Sequence, residues 1–226
     1  MFKSLLALGH FSFHKENKAE FFKSGNSGTV QTTQNHIQTQ INTRQKSLLV
    51  GNRIPKNFFL TAGIGESDIT IHAGSYHLAL KDAGIEKCNI VTYSSILPAI
   101  ASEILKPTTN ELTHGSVMES IMACADSTCG ERATAGLIIG LLYDKETNKK
   151  YGGLVCEYHG TQEEDEAAKT LWASLNELHA NGFSEKFNLS EIKIVTKSFV
   201  PEKRFGTAIV ALCFTDYAYP ILGVMS

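Results

Sequence analysis

Residues 136–143 read Gly-Leu-Ile-Ile-Gly-Leu-Leu-Tyr, eight positions without a charge. A strand with one wet face alternates apolar and polar side chains, because successive residues point to opposite faces. An unbroken apolar run of this length is the pattern of an interior strand. Further strand-like segments fill 58–61, 88–93, 116–124, 153–158, 191–200 and 206–214, the first closing at a turn over Gly63 and Gly65. In 191–200 the apolar positions run through Ile192 and Ile194 and then shift face at Val195, with Lys203 and Arg204 turning into the last strand. Two segments are helical. Tyr76, Ala79, Leu80 and Ala83 give a short helix over 75–83 that stops at Gly84. The stripe Ala168, Leu171, Leu175 and Leu178 gives a long one over 162–180, ended by Asn181-Gly182. Thr161 and Glu164 are spaced as a capping box for it, and Glu163 and Asp165 favour its positive end. Strands in excess, two helices and a terminal hairpin make an α+β fold of antiparallel or mixed sheet covered by helices, not a βαβ wind.

A change in composition divides the chain. From 24 to 53 the text is rich in Gln, Asn, Thr, Ser and Gly with no sustained period, so residues 1–55 are expected to be a disordered or loosely attached extension. Residues 56–226 then make one folded domain. With 21 Lys+Arg against 23 Asp+Glu, the net charge of −2 gives no reason to expect a nucleic-acid or anionic-membrane partner. Five cysteines, an odd number without a C-x-x-C, read as buried reduced thiols of a cytoplasmic protein. No run is long enough to span a membrane, and the apolar start lacks the small-x-small site of a signal peptide. No nucleotide-loop or zinc-protease motif occurs, and no metal site is expected.

Three places hold useful chemistry. In 89–98 a strand runs into the adjacent hydroxyls of Ser94 and Ser95 and then a turn at Pro98; composition alone reads this as a polar strand end. In 152–160 Glu157 is an acid on an apolar strand, and burial raises a carboxyl pKa towards a value suited to giving a proton near neutrality. In 113–119 His114 precedes a glycine, as a base or as a turn residue. Glu131 and Arg132 are read as a loop ion pair. A Ser- or Cys-dependent hydrolase is a weak rival, because no G-x-S-x-G elbow is present.

Several of these elements together resemble the pyruvoyl-dependent arginine decarboxylases. The matching text is Thr61-Ala62-Gly63, Leu78-Ala79-Leu80-Lys81-Asp82-Ala83-Gly84-Ile85, Asn89-Ile90-Val91 and Ser94-Ser95-Ile96-Leu97-Pro98. It continues with Gly152-Gly153-Leu154 through Glu157-Tyr158, and with Glu202-Lys203-Arg204-Phe205-Gly206, so the likeness covers 57–214. The resemblance implies an αββα sandwich, assembled as a trimer or a pair of trimers with sites between subunits. It also implies self-cleavage between Ser94 and Ser95, which splits the protein into two chains and converts Ser95 into a covalent pyruvoyl cofactor. Arginine would become agmatine and carbon dioxide through an imine on that group. On this likeness Ser95 and Glu157 are catalytic, Glu157 as proton donor, and Asn89, Ile96, Leu80 and His77 are substrate-binding. His77 departs from the family, which often carries an acid there for the guanidinium; Glu66 or Asp68 would have to substitute. Decarboxylation of another amino acid, or a non-catalytic oligomer of the same fold, are the alternatives.

Overall fold

The computed structural model describes residues 47–225, and Leu48–Gly223 form one compact unit. The strands are β1 Ser47–Val50, β2 Ile54–Pro55, β3 Asn57–Ser67, β4 Asn89–Thr92, β5 Ile96–Pro98, β6 Ser102–Glu103, β7 Val117–Thr128, β8 Ala133–Asp144, β9 Lys150–Gly160, β10 Phe187–Phe199, β11 Phe205–Phe214, β12 Tyr217–Ala218 and β13 Ile221–Met225. A π-helical turn, Ile71–Tyr76, runs into helix α1, His77–Asp82, and α2 spans Glu164–Gly182. Most of the expected extension over 1–55 lies outside the described residues; β1 and β2 are the part of it that is described. Among the described residues no helix is long and apolar enough to cross a membrane.

Two sheets carry the fold, one in the order β10-β8-β9-β5 and one in the order β4-β7-β11-β3-β6. Both are mixed or antiparallel: β3 with β6 and β4 with β7 are parallel, and the other pairings within them are antiparallel. The apolar run in β8 has two destinations. Leu137 and Ile139 enter a core with Ile121, Val210 and Leu212 of the other sheet, while Ile138 and Leu142 join Leu171 and Leu175 of α2. Each such side chain, fully buried, contributes about 1.5–3 kcal/mol relative to exposure. In β10 Ile192 and Ile194 lie with α2 and Val195 with the inter-sheet core, which is plain strand alternation and not the shift of face expected at Val195. The face shifts earlier, at a bulge between Ser190 and Lys193 with Glu191 at φ 49°, which leaves both Leu189 and Ile192 against the α2 cluster.

Three local expectations need correcting. Gly63 and Gly65 do not close the first strand, since β3 runs through both of them. They are glycine because α1 and the turn before it lie directly on β3: a Cβ at Gly63 would stand 2.3 Å from the Ala79 carbonyl oxygen, and one at Gly65 2.2 Å from that of Ser75. Thr161 does not cap α2, whose N-cap is Glu163 without a side-chain cap. Its start is tied instead to the sheet, where the Thr134 hydroxyl donates to the Gln162 carbonyl at 2.5 Å. Arg132 does not pair with Glu131 but with Glu163, at 2.6 Å. By contrast, Gly84 ends α1 as expected: it has φ 71°, its N–H meets the Lys81 carbonyl at 3.0 Å, and that of Ile85 meets Leu80 at 2.9 Å.

Replacing Gly65 with alanine forces a methyl group against backbone atoms of the helical layer, which cannot rotate away. The expected cost is about 1–3 kcal/mol, read as a lowered midpoint in denaturant unfolding; an unchanged midpoint would contradict this account of the layer.

Candidate active site

Between β4 and β5 the chain passes from one sheet to the other. The Tyr93 N–H donates to the Ser120 carbonyl of β7 at 2.7 Å, and the Val155 N–H of β9 donates to the Ser95 carbonyl at 2.9 Å. The Ser94–Ser95 peptide is therefore the link between two anchored ends. The Ile96 N–H donates to the Ser94 carbonyl at 3.0 Å, closing a three-residue turn around Ser95. A carbonyl so held is polarised, and the same N–H is placed to stabilise negative charge on that oxygen if a nucleophile adds to its carbon.

Pro98 ends β5, pairing with Gly152 on β9, and opens the expected turn, its carbonyl accepting from the Ala101 N–H at 3.0 Å. Proline is tolerated because β5 is an edge strand. Gly152 is explained by the same contact, since a Cβ there would stand 2.4 Å from the Leu97 carbonyl oxygen.

Glu157 lies on β9 opposite Leu137, and the Ser95 hydroxyl donates to its Oε2 at 3.2 Å. Half-burial raises the Glu157 pKa by desolvation, opposed chiefly by the Ser95 hydrogen bond. The pair thus joins a hydroxyl, next to a polarised carbonyl, to a carboxyl that holds its proton more tightly than usual. Thiol chemistry has less support. All five cysteines are free, and burial pushes Cys124 and Cys213 up to about 12 and Cys156 up to about 11.

The remaining sequence candidates divide. Ser94, Ser95, Ile96 and Glu157 come together, with Ile96 exposed beside Ser95. Asn89 opens β4 and its side-chain amide donates to the Gly115 carbonyl at 3.0 Å. Leu80 is buried between α1 and the outer face of the five-stranded sheet, with Ile85 and Met118, and His77 opens α1 with its side chain exposed. Neither shares an element or a cluster with Ser95. Glu66 accepts from the N–H groups of Glu202 and Lys203, at 2.9 and 3.3 Å, and Asp68 from that of Arg204 at 3.2 Å. His114 is exposed in a turn that Gly115 completes with φ 80°. The Ile96 N–H was missed from sequence, and no side-chain pattern could have revealed a backbone donor.

A family model described as pyruvoyl-dependent arginine decarboxylase matches residues 57–219. A pyruvoyl-dependent arginine decarboxylase from Chlamydia trachomatis is 30% identical over 183 residues, covering 74% of this chain and 94% of that protein. Pyruvoyl-dependent arginine decarboxylase 2 from Archaeoglobus fulgidus is 29% identical over 168 residues, covering 71% and 97%. The corresponding protein 1 from Methanosarcina acetivorans is 32% identical over 132 residues, covering 56% and 77%. With the match running across both sheets and both sides of the Ser94–Ser95 link, the chain belongs to the pyruvoyl-dependent arginine decarboxylase family.

Proposed function

We propose that this chain cuts itself between Ser94 and Ser95 and then decarboxylates arginine to agmatine, with residue 95 as its pyruvoyl cofactor. The observation that carries the reading is the Ser95 hydroxyl on Glu157 beside a Ser94 carbonyl held by the Ile96 N–H. In the cut, Ser95 Oγ adds to the Ser94 carbonyl carbon and the peptide nitrogen leaves, turning amide into ester. Loss of the α-proton of residue 95 then expels the Ser94 carboxylate and leaves dehydroalanine, which water converts to a pyruvoyl group with release of ammonia.

Residues around position 95 suit such a group. The Val155 N–H holds the carbonyl oxygen of residue 95, and edge strand β5 leaves the new chain end open on one side. A pyruvoyl group there supplies the electron sink that loss of carbon dioxide requires. Glu157 holds the proton and delivers it to the α-carbon of the product. Glu66 is our candidate for the guanidinium: it lines a cavity of about 420 Å³ with Phe199 and with Leu78, the residue that follows His77 in the chain. A second reading, decarboxylation of another amino acid, is favoured by the exposed His77 itself.

We read the layers as an αββα sandwich, supported by separate apolar clusters under α1, between the sheets and under α2. Residues 56–226 are then the decarboxylase domain, working in the cytoplasm. Of the two α1 candidates Leu80 is buried under the helix, and a substrate on Ser95 meets the exposed His77 only if a second copy supplies α1, so the site forms between subunits, in a trimer or a pair of trimers. The exposed apolar side chains of Leu48, Leu49, Ile221 and Leu222 support such assembly.

Intact-mass measurement of purified protein is expected to give fragments 1–94 and 95–226, the second with a blocked amino end, and Ser95→Ala is expected to stay uncut and inactive; an uncut wild-type chain would overturn the proposal. Glu157→Gln keeps an acceptor for the Ser95 hydroxyl, so it still cleaves, but its turnover drops ~10²–10⁴-fold. The pH dependence follows in sign. Protonated Glu157 is the donor and its pKa is raised above 4.5, so turnover falls as pH rises through that higher value. The fall disappears in Glu157→Gln. Stability moves the same way, because the folded carboxyl binds its proton more tightly than the unfolded one: stability is lost as pH rises from 4.5 through the folded value, and the glutamine variant is flatter there in denaturant titrations.

A further inference from the structure

The inter-sheet face of β7 carries a buried acid that the proposed chemistry does not use. Glu119 is only 3% exposed. Its Oε2 accepts from Arg53 Nε at 3.2 Å and from the Tyr93 hydroxyl, and its Oε1 pairs with the other end of the Arg53 guanidinium. Arg53 in turn stands over the Tyr217 ring, 5.4 Å from its centre, and the Tyr93 ring packs against Phe214 at 5.7 Å. An ionised acid in such a place is costly unless paired and hydrogen-bonded, and removing one partner leaves a buried charge exposed to that cost.

Its position gives the cluster a purpose. Tyr93 is tied twice to β7, through its backbone N–H on Ser120 and through its hydroxyl on Glu119. The next residue is Ser94, and the one after, Ser95, is tied to β9 through Val155 and Glu157. Two trans peptide units span at most about 7.6 Å, so fixing Tyr93 on one sheet and Ser95 on the other leaves the Ser94 carbonyl little freedom. An attack over such a short range depends on orientation, and a misplacement of about 1 Å costs about 10²-fold.

We propose that Glu119, Arg53 and Tyr93 form a clamp that positions the Ser94 carbonyl for self-cleavage; the proposal rests on the self-processing reading above. These are positioning residues, acting on the scissile bond through the backbone of Tyr93. Once the cut is made, the same clamp retains the carboxyl end of the fragment 1–94 on β7.

The test is the rate of conversion of full-length chain to 1–94 and 95–226, followed by intact mass in a time course after cell-free synthesis. Tyr93→Phe keeps the ring that packs on Phe214 and removes only the hydroxyl; cleavage is expected to slow by about tenfold to 10²-fold. Glu119→Gln is expected to slow it in the same direction. Arg53→Gln slows it too, and Arg53→Lys recovers part of the rate because it restores a cation to Glu119. A purely packing role would shift melting temperatures and leave the cleavage rate where it was. If wild-type chain cleaves and Tyr93→Phe cleaves equally fast, the clamp is overturned and self-processing stands. If the wild-type chain never cleaves, the self-processing reading falls and the clamp falls with it.

Discussion

Two hydrogen bonds on opposite sheets bracket the centre of this molecule. The Tyr93 N–H ends its strand on β7 and the Val155 N–H begins the next pairing on β9, with one residue, Ser94, between the anchored positions. A backbone carbonyl is ordinarily free to find a strand partner or water. Here the strand ladder has ended on one side and not yet begun on the other, and the partner left to Ser94 is the N–H of Ile96, two residues on. The sheets must lie face to face for so short a crossing to exist. The core between them holds the two faces together, and it includes Leu97, Ile121, Ile139, Val155 and Leu212.

Close approach recurs outside that core, and each time it is made by glycine. Gly63 and Gly65 admit the helical layer onto β3, and Gly152 admits β5 onto β9. None of the three has a positive φ, so their role is the absence of a side chain and not backbone freedom. This bears directly on the site. Without Gly152, β5 could not reach β9, and Ser95 would lose both the Val155 N–H and the Glu157 carboxyl.

Elements whose identity depends on local pattern were legible from the amino-acid text: the charge-free run of β8, the Leu171–Leu175 stripe of α2, the glycine stop after α1. Glycine in β3 misled, because a residue that ends strands by conformation also permits contacts by size, and only the neighbouring layer decides between them. The capping box at Thr161 failed for a related reason, since Thr134 and Arg132 of the adjacent sheet hold the start of α2. At the site, each of Ser95 and Glu157 was visible singly, but their meeting across 62 residues depends on β5–β9 register. Glu119 has a signature like that of Glu157, an acid in a largely apolar strand, though β7 also carries Asp126.

The Ser95–Glu157 contact also joins the two halves of the proposed reaction. Before cleavage, the serine hydroxyl donates to the carboxylate and so favours its charged form, against the desolvation that favours the neutral one. In that state Glu157 is suited to accept, drawing on the hydroxyl that must attack. Cleavage and loss of ammonia remove the hydroxyl, and with it the leading influence that opposes desolvation. The same burial then acts with less opposition and raises the carboxyl further towards its protonated form. A single acid can therefore orient the nucleophile in the precursor and donate a proton in the mature site, with the cut itself moving it from one role to the other. No change in backbone is needed for this, because β8 pairs with β9 along the edge away from Ser95 and holds Glu157 in place opposite Leu137.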